Sequence, residues 1–115
     1  MGRVISQSKI DGIAEARLNS PNTLGPMLGE LVIGGNVPIA GIAMLLRVSN
    51  PTVYRWMYGY SEPTDADKIL KIKRLLTVLR KAKRAKDLPM HGSIKERLSA
   101  LRALVITHGQ VPVRT

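Results

Sequence analysis

The sequence predicts an all-α protein of one small domain, in which several short helices precede a hairpin of two longer helices. Apolar residues recur at spacings of three and four, and no run of four or more residues alternates apolar with polar side chains. Gly, Pro, Ser and Asn separate the periodic segments where helices begin and end. The length of 115 residues is too short for two independent cores, so we expect a single one.

The first half of the chain predicts four short helices, over residues 10–18, 24–33, 39–46 and 51–58. Thr23 is placed to cap the second of these, and Gly34 and Gly35 end it. Pro38 suits the first turn of the third helix, and Ser49 or Asn50 caps the fourth. Residues 38–46 have almost no polar outer face. We therefore expect the first helix or a neighbouring subunit to cover them.

The second half predicts an antiparallel helical hairpin. A long helix runs from Asp65 to about Lys86 and has basic residues at its negative end. One of its faces is apolar (Ile69, Ile72, Leu75, Leu76, Leu79 and Ala82) and the other is basic (Lys73, Arg74, Arg80, Lys81 and Arg84). After a turn of about five residues, a second helix begins with the capping-box pattern of Ser93 and Glu96. Its apolar stripe is Ile94, Leu98, Leu101 and Val105.

These elements divide the chain into three parts. Residues 1–63 form the first unit, residues 64–109 form the basic hairpin, and residues 110–115 form a tail that is a short strand or loose. A short connection between two helices with one apolar stripe each favours an antiparallel pair. Only one helix is needed to cover the other, so we expect the hairpin to form a subunit interface in a homo-oligomer.

The composition favours a polyanionic partner. Lys and Arg number 18 against 8 Asp and Glu, which gives a formal net charge of +10. Of these, 13 bases and five acids lie in residues 61–115, so the second half supplies most of the positive field. An aromatic content of 3% disfavours proteins that stack single-stranded bases on aromatic side chains.

The composition also gives no reason to expect an enzyme, a metal or another cofactor. The chain has no Cys and two His, and it contains no evident carboxylate pair, phosphate-binding glycine loop or nucleophile with its base. The N-terminus has no signal-peptide core, and the longest apolar stretch, residues 37–46, is too short to span a bilayer. We therefore expect a cytoplasmic protein without a membrane partner.

Residues 42–59 carry the most informative pattern, that of two short helices crossing at a steep angle. Such a crossing needs a small residue where the helices meet, which Ala43 provides. Apolar residues fall where they would plug the corner from both sides (Ile42, Leu46, Val48, Val53 and Trp56). The residues left outward on the second helix are Asn50, Thr52, Tyr54, Arg55 and Tyr58.

This pattern resembles the helix-turn-helix of the Cro and phage-repressor family, which includes Xre-like bacterial regulators, over residues 24–63. The residues that match the family's run are Val48, Ser49, Thr52, Val53, Trp56 and Gly59. One position departs, because Arg47 stands where the family usually has glycine. A left-handed conformation costs a non-glycine residue about 1 kcal/mol, so we expect the turn to be reshaped.

The resemblance implies that residues 51–58 form a recognition helix in the major groove of double-stranded DNA. Ser49, Asn50 and Thr52 would contact phosphates or the first base edges. Tyr54, Arg55 and Tyr58 would face the groove, where Arg55 can donate two hydrogen bonds to a guanine. In the alternative interpretation, the two tyrosines pack on a partner and the arginine is a solvated charge.

A second candidate for phosphate contact is the basic cluster of Arg80, Lys81, Lys83 and Arg84. A run of like charges is usually a solvated helix face, but this one is dense and lacks compensating acids. It therefore favours contact with phosphate, either on flanking DNA or on DNA that passes an assembly.

Three functions are consistent with this organisation. The first is a phage or bacterial transcriptional regulator, a repressor or an activator, that binds a two-fold DNA site as a dimer. The second is a small terminase subunit of a virus, because the order of helix-turn-helix, hairpin and short tail also resembles those ring-forming packaging proteins. The third is an architectural protein that coats DNA, for which the basic hairpin would matter more than the recognition helix.

Overall fold

The computed structural model describes residues 12–13 and 23–108, which contain five helices. The helices are α1 (Leu24–Gly34), α2 (Ile39–Leu46), α3 (Asn50–Met57), α4 (Ala66–Arg84) and α5 (Ile94–His108). Gly12 and Ile13 are also helical, whereas the rest of the helix predicted over residues 10–18 and the tail 110–115 lie outside the described residues. The described part of the chain contains no strand, so the predicted all-α class is confirmed.

Local side-chain chemistry begins the two long helices, and the capping box before the second of them was predicted. The Asp65 carboxylate accepts a hydrogen bond from the Asp67 backbone N–H at 3.0 Å, which caps α4. Before α5, the Ser93 N–H donates to Glu96 Oε1 at 2.7 Å, and the Glu96 N–H donates to Ser93 Oγ at 3.1 Å. This is the reciprocal capping box. Thr23 occupies the N-cap position of α1, but its side chain makes no capping hydrogen bond.

The core lies between α1, α3 and α4, with α2 and α5 closing it. α1 packs against both α3 and α4, while α4 also contacts α2 and α5. Of the predicted apolar face of α4, five residues are buried (Ile72, Leu75, Leu76, Leu79 and Ala82) and Ile69 is half-buried, and Val78 is buried beside them. Each fully buried side chain of this size contributes about 1.5–3 kcal/mol. None of the helices in the described segments is long and apolar enough to cross a bilayer.

α5 packs on α4, but its course differs from the predicted side-by-side antiparallel hairpin. His108 Nε2 at its last residue lies 3.3 Å from Asp87 Oδ2, just beyond the end of α4. A side-by-side hairpin would place the end of this 15-residue helix about 22 Å from the turn. α5 therefore returns to the end of α4, and its apolar stripe differs accordingly. Leu101 and Leu104 are buried, whereas Ile94 is 52% exposed.

The reason for this course is that the connection between α4 and α5 is anchored on the link between α1 and α2. The backbone N–H of the buried Met90 donates to the Gly35 carbonyl at 2.7 Å, and Asn36 Nδ2 donates to the Met90 carbonyl at 2.9 Å. Arg97 Nη1 donates to the Asn36 carbonyl at 3.2 Å, which fixes the first turn of α5 at the same place. The connection is therefore held at Gly35 and Asn36, and α5 begins from there.

α5 covers part of the apolar outer face of α2. A Cβ atom at Gly41 would lie 2.6 Å from a Leu101 methyl carbon, so α5 approaches α2 closely there. The Ile13 side chain packs against α1 at Gly29, and most of the first predicted helix lies outside the described residues. Met44 remains 65% exposed, so part of this face is open in the single chain.

The turn between α2 and α3 keeps the left-handed conformation that the sequence led us to doubt. Arg47 has φ 58° and ψ 48°, so the expectation of a reshaped turn is wrong. The Arg47 N–H donates to the Met44 carbonyl at 3.2 Å, and the Val48 N–H donates to the Ala43 carbonyl at 3.0 Å. Because Leu46 is buried and Val48 packs on the core, the chain path around Arg47 is fixed and its exposed side chain meets no obstacle.

We expect Arg47→Gly to raise the free energy of unfolding by about 0.5 kcal/mol. A non-glycine residue in the left-handed conformation destabilises the folded state by about 1 kcal/mol, which glycine avoids. Glycine also gives the unfolded chain more conformational entropy, which offsets part of this gain. Urea denaturation would measure the change, with Arg47→Ala as the control because it keeps a Cβ atom. Equal stability of the Gly and Ala variants would show that the left-handed backbone carries no such cost.

Candidate nucleic-acid interface

α3 begins at a side-chain cap. Ser49 Oγ accepts a hydrogen bond from the Thr52 backbone N–H at 3.4 Å and lies 2.9 Å from Thr52 Oγ1. Pro51 occupies the first turn, where a missing N–H costs nothing. Both hydroxyls predicted to contact DNA are therefore engaged with each other, although Ser49 remains exposed and Thr52 is half-buried. Their first role in this structure is to hold the N-terminus of α3.

The inward face of α3 is packed against the rest of the molecule. Val53, Trp56 and Met57 are buried, which confirms the predicted plugs on this helix and adds Met57 to them. On α2, the predicted small residue Ala43 is buried together with Ile42 and Leu46. α3 is thus a helix of eight residues that is packed on one side, while Asn50 and Arg55 are exposed on the other.

The outward face of α3 carries the other residues predicted to contact DNA. Asn50 and Arg55 are exposed, and Tyr54 is half-buried. Because Val53, Trp56 and Met57 point to the core, helical geometry directs Arg55 almost directly away from it. The structure therefore places a long cation on the outermost line of this face.

Three tyrosines form a continuous row beside Arg55. The rings of Tyr54 and Tyr58 are stacked with centroids 6.2 Å apart, and those of Tyr58 and Tyr60 are tilted with centroids 5.9 Å apart. Tyr60 is 80% exposed and was missed from the sequence, although it follows the helix-ending Gly59 directly. The row extends the polar surface of α3 beyond its C-terminus with three hydroxyl groups.

Tyr58 has less freedom to reach a partner than the sequence suggests. A Cβ atom at Gly12 would lie 3.3 Å from the Tyr58 ring, so the ring packs against Gly12. Burial raises the pKa of the Tyr58 hydroxyl above its ordinary value, and the nearby hydroxyls of Tyr54 and Tyr60 raise it further. Tyr58 thus remains neutral at physiological pH. Its ring contacts those of Tyr54 and Tyr60 on either side.

The second set of predicted residues lies at the end of α4. Arg80, Lys81, Lys83 and Arg84 are all exposed there, as the basic face predicted. Three of them, with Lys81 outside, line a cleft of about 350 Å³ between α4 and α1, together with Met27, Glu30 and Leu31. The ion pairs found between described residues use Lys71 and His108 and none of these four cations, while the Glu30 carboxylate lines the same cleft.

The two sets lie on different sides of α1. Gly25 and Gly29, four residues apart, face α3, because Cβ atoms there would approach Trp56 and Met57. Met27 lies two residues beyond Gly25, about 200° around the helix, and lines the cleft beside α4. The structure therefore brings the residues of α3 together and the residues of α4 together, but it separates the two sets.

Other kinds of site have no support in the described residues. No group of three or more His, Cys, Asp or Glu side chains in this part of the chain is placed to hold a metal ion. His91 is exposed, and His108 lies beside Asp87 at the end of α5. Both histidines are therefore consistent with the turn and helix-end positions that the sequence gives them.

Comparisons with protein-family models, with curated proteins and with solved structures give no match to this chain. The geometry of α2, α3 and α4 is therefore the basis for proposing a function.

Proposed function

We propose that the chain is a double-stranded DNA-binding protein of the helix-turn-helix kind, and that it acts as a sequence-specific transcriptional regulator. The observation that carries this proposal is the outward face of α3. It presents Asn50, Tyr54 and Arg55, while the other side of the same helix is buried. A helix about 10–12 Å across with its side chains fits a major groove about 12 Å wide.

The short helix before α3 supports the same proposal. α2 meets α3 through a three-residue connection, with Ala43 buried near the corner and Arg47 in the left-handed conformation. In DNA-binding helix-turn-helix proteins, the first helix crosses the backbone while the second enters the groove. The net charge of +10 supplies the long-range attraction that such a protein needs.

In this proposal the protein works as an oligomer. Met44 on α2 and Ile106 on α5 are 65% and 60% exposed, and both line a small apolar cleft between these helices. A second copy would remove this surface from water. Native mass from light scattering separates the two assemblies that the sequence leaves open. Two chains support the regulator, and a ring of many chains supports a small terminase subunit.

We expect Arg55→Ala to abolish most of the preference for the cognate site. An arginine that donates two hydrogen bonds to a guanine contributes about 1–3 kcal/mol of discrimination, or about 5–150-fold. Selection from random duplexes would first find the preferred sequence, and fluorescence anisotropy would then compare it with a scrambled one. Because Arg55 is exposed, stability should stay within about 0.5 kcal/mol of the parent protein.

The matched control for this prediction is Arg74→Ala, which removes an exposed arginine from the middle of α4. Both variants lose one charge, so both should weaken binding to any duplex by a similar small factor. Only the change on α3 should reduce the ratio between cognate and scrambled DNA. An unchanged ratio in Arg55→Ala would contradict its role in reading bases.

A further inference from the structure

The basic end of α4, defined by Arg80, Lys81, Lys83 and Arg84, concentrates positive charge on a surface outside α3. All four side chains are exposed, and three of them line one cleft in which Glu30 is the carboxylate among the described residues. Positive charge concentrated at one end of a helix attracts phosphate groups and releases their counterions. This surface is therefore equipped to bind nucleic acid on its own.

The position of this surface excludes it from a straight duplex that lies on α3. Gly25 and Gly29 turn one face of α1 toward α3, while Met27 and Leu31 turn the opposite face toward the basic cleft. Arg55 in turn points away from α1 and the core. The two DNA-facing surfaces therefore look in nearly opposite directions.

The dimensions of the molecule strengthen this conclusion. Its smallest extent is 25 Å, so surfaces that face in nearly opposite directions have the body of the molecule between them. Double-stranded DNA is stiff, with a persistence length of about 150 base pairs. A short duplex seated on α3 passes one side of the molecule and leaves the other side free.

We propose that the basic end of α4 binds a second segment of double-stranded DNA, so that one molecule bridges two duplexes. This inference depends on the proposed function, because α3 must hold the first duplex. Binding at α3 reads sequence, whereas binding at α4 engages phosphates and tolerates any sequence. Such a protein would join distant DNA segments as well as mark a site.

A two-duplex capture assay tests this proposal with the full chain. A biotinylated duplex carrying the preferred sequence is immobilised, protein is added, and retention of a fluorescent duplex of unrelated sequence is measured. The variant Lys83→Gln/Arg84→Gln removes two charges from the basic end. The control Arg74→Gln/Lys95→Gln removes two exposed charges outside that end, one from the middle of α4 and one from α5.

We expect the α4 variant to lower capture of the second duplex about tenfold. The slope of log capture against log salt concentration should become shallower by about two, because two charges are removed. Its binding to the immobilised duplex should remain close to that of the control. Unchanged capture would overturn the inference, because bridging would then use a second α3 in an oligomer. If the protein binds the immobilised duplex but captures no second duplex, the inference is also overturned and the proposed function stands. Failure of the parent protein to bind the first duplex would overturn both.

Discussion

Gly25→Ala is expected to lower the free energy of unfolding by about 2 kcal/mol, although it replaces glycine with the best helix-forming residue. A Cβ atom at this position would collide with the carbonyl oxygen of Trp56 and lie 2.6 Å from its carbonyl carbon. Alanine gains about 1 kcal/mol of helix propensity over glycine. Overpacking against a backbone group that cannot rotate away costs about 3 kcal/mol, so the collision outweighs the gain.

This loss would be measured as a fall in Tm of about 10 °C, because 1 kcal/mol corresponds to about 4–8 °C in a domain of this size. The matched control is Gly34→Ala, at the other end of α1. Nothing lies within 4 Å of the Cβ atom that would be added there. The control should therefore be as stable as the parent protein or slightly more stable. Equal Tm values for both variants would mean that α1 does not approach α3 as closely as described.

The same substitution would reach the candidate DNA interface. To relieve the collision, α1 must move away from α3, and Trp56 belongs to the helix that carries Arg55 and Tyr54. Side chains that read bases need to be held within about 0.5 Å, which packing provides. Gly25→Ala should thus reduce the preference for the cognate sequence even at temperatures where the variant is folded.

Features that depend on neighbouring residues could be predicted from the sequence. The cap at Asp65 and the reciprocal box of Ser93 and Glu96 involve residues two or three positions apart, so local chemistry alone determines them. The inward and outward faces of α3 and α4 also follow from helical spacing within one element. These faces supply most of the candidate site.

Features that depend on distant residues could not be predicted in the same way. The anchoring of α5 needs Asn36 to meet Met90 and Arg97, which are 54 and 61 positions away. Nothing in the local pattern around Gly25 indicates that a backbone carbonyl approaches it. The separation of the basic end of α4 from α3 likewise follows from how α1 is packed, and no single segment encodes it.

We expect Trp56→Ala to have the largest effect on stability, a loss of about 3–5 kcal/mol. Its side chain is only 7% exposed and fills the corner between α3 and the rest of the core. A domain of this size has a total stability of about 5–15 kcal/mol, so this loss is a large fraction of the total and should lower the urea midpoint strongly. Trp56→Phe keeps a large ring, should cost less, and provides a folded protein for comparison.

The adjacent residue should respond in the opposite way. Arg55 is exposed, so Arg55→Ala should leave the urea midpoint unchanged while it removes sequence preference. Trp56→Phe should shift the midpoint while the preference, measured under conditions where the variant is folded, stays closer to that of the parent protein. If Arg55→Ala lost stability and Trp56→Phe did not, the inward and outward faces of α3 would be assigned wrongly. The two substitutions together thus test the packing of α3 separately from its contact with DNA.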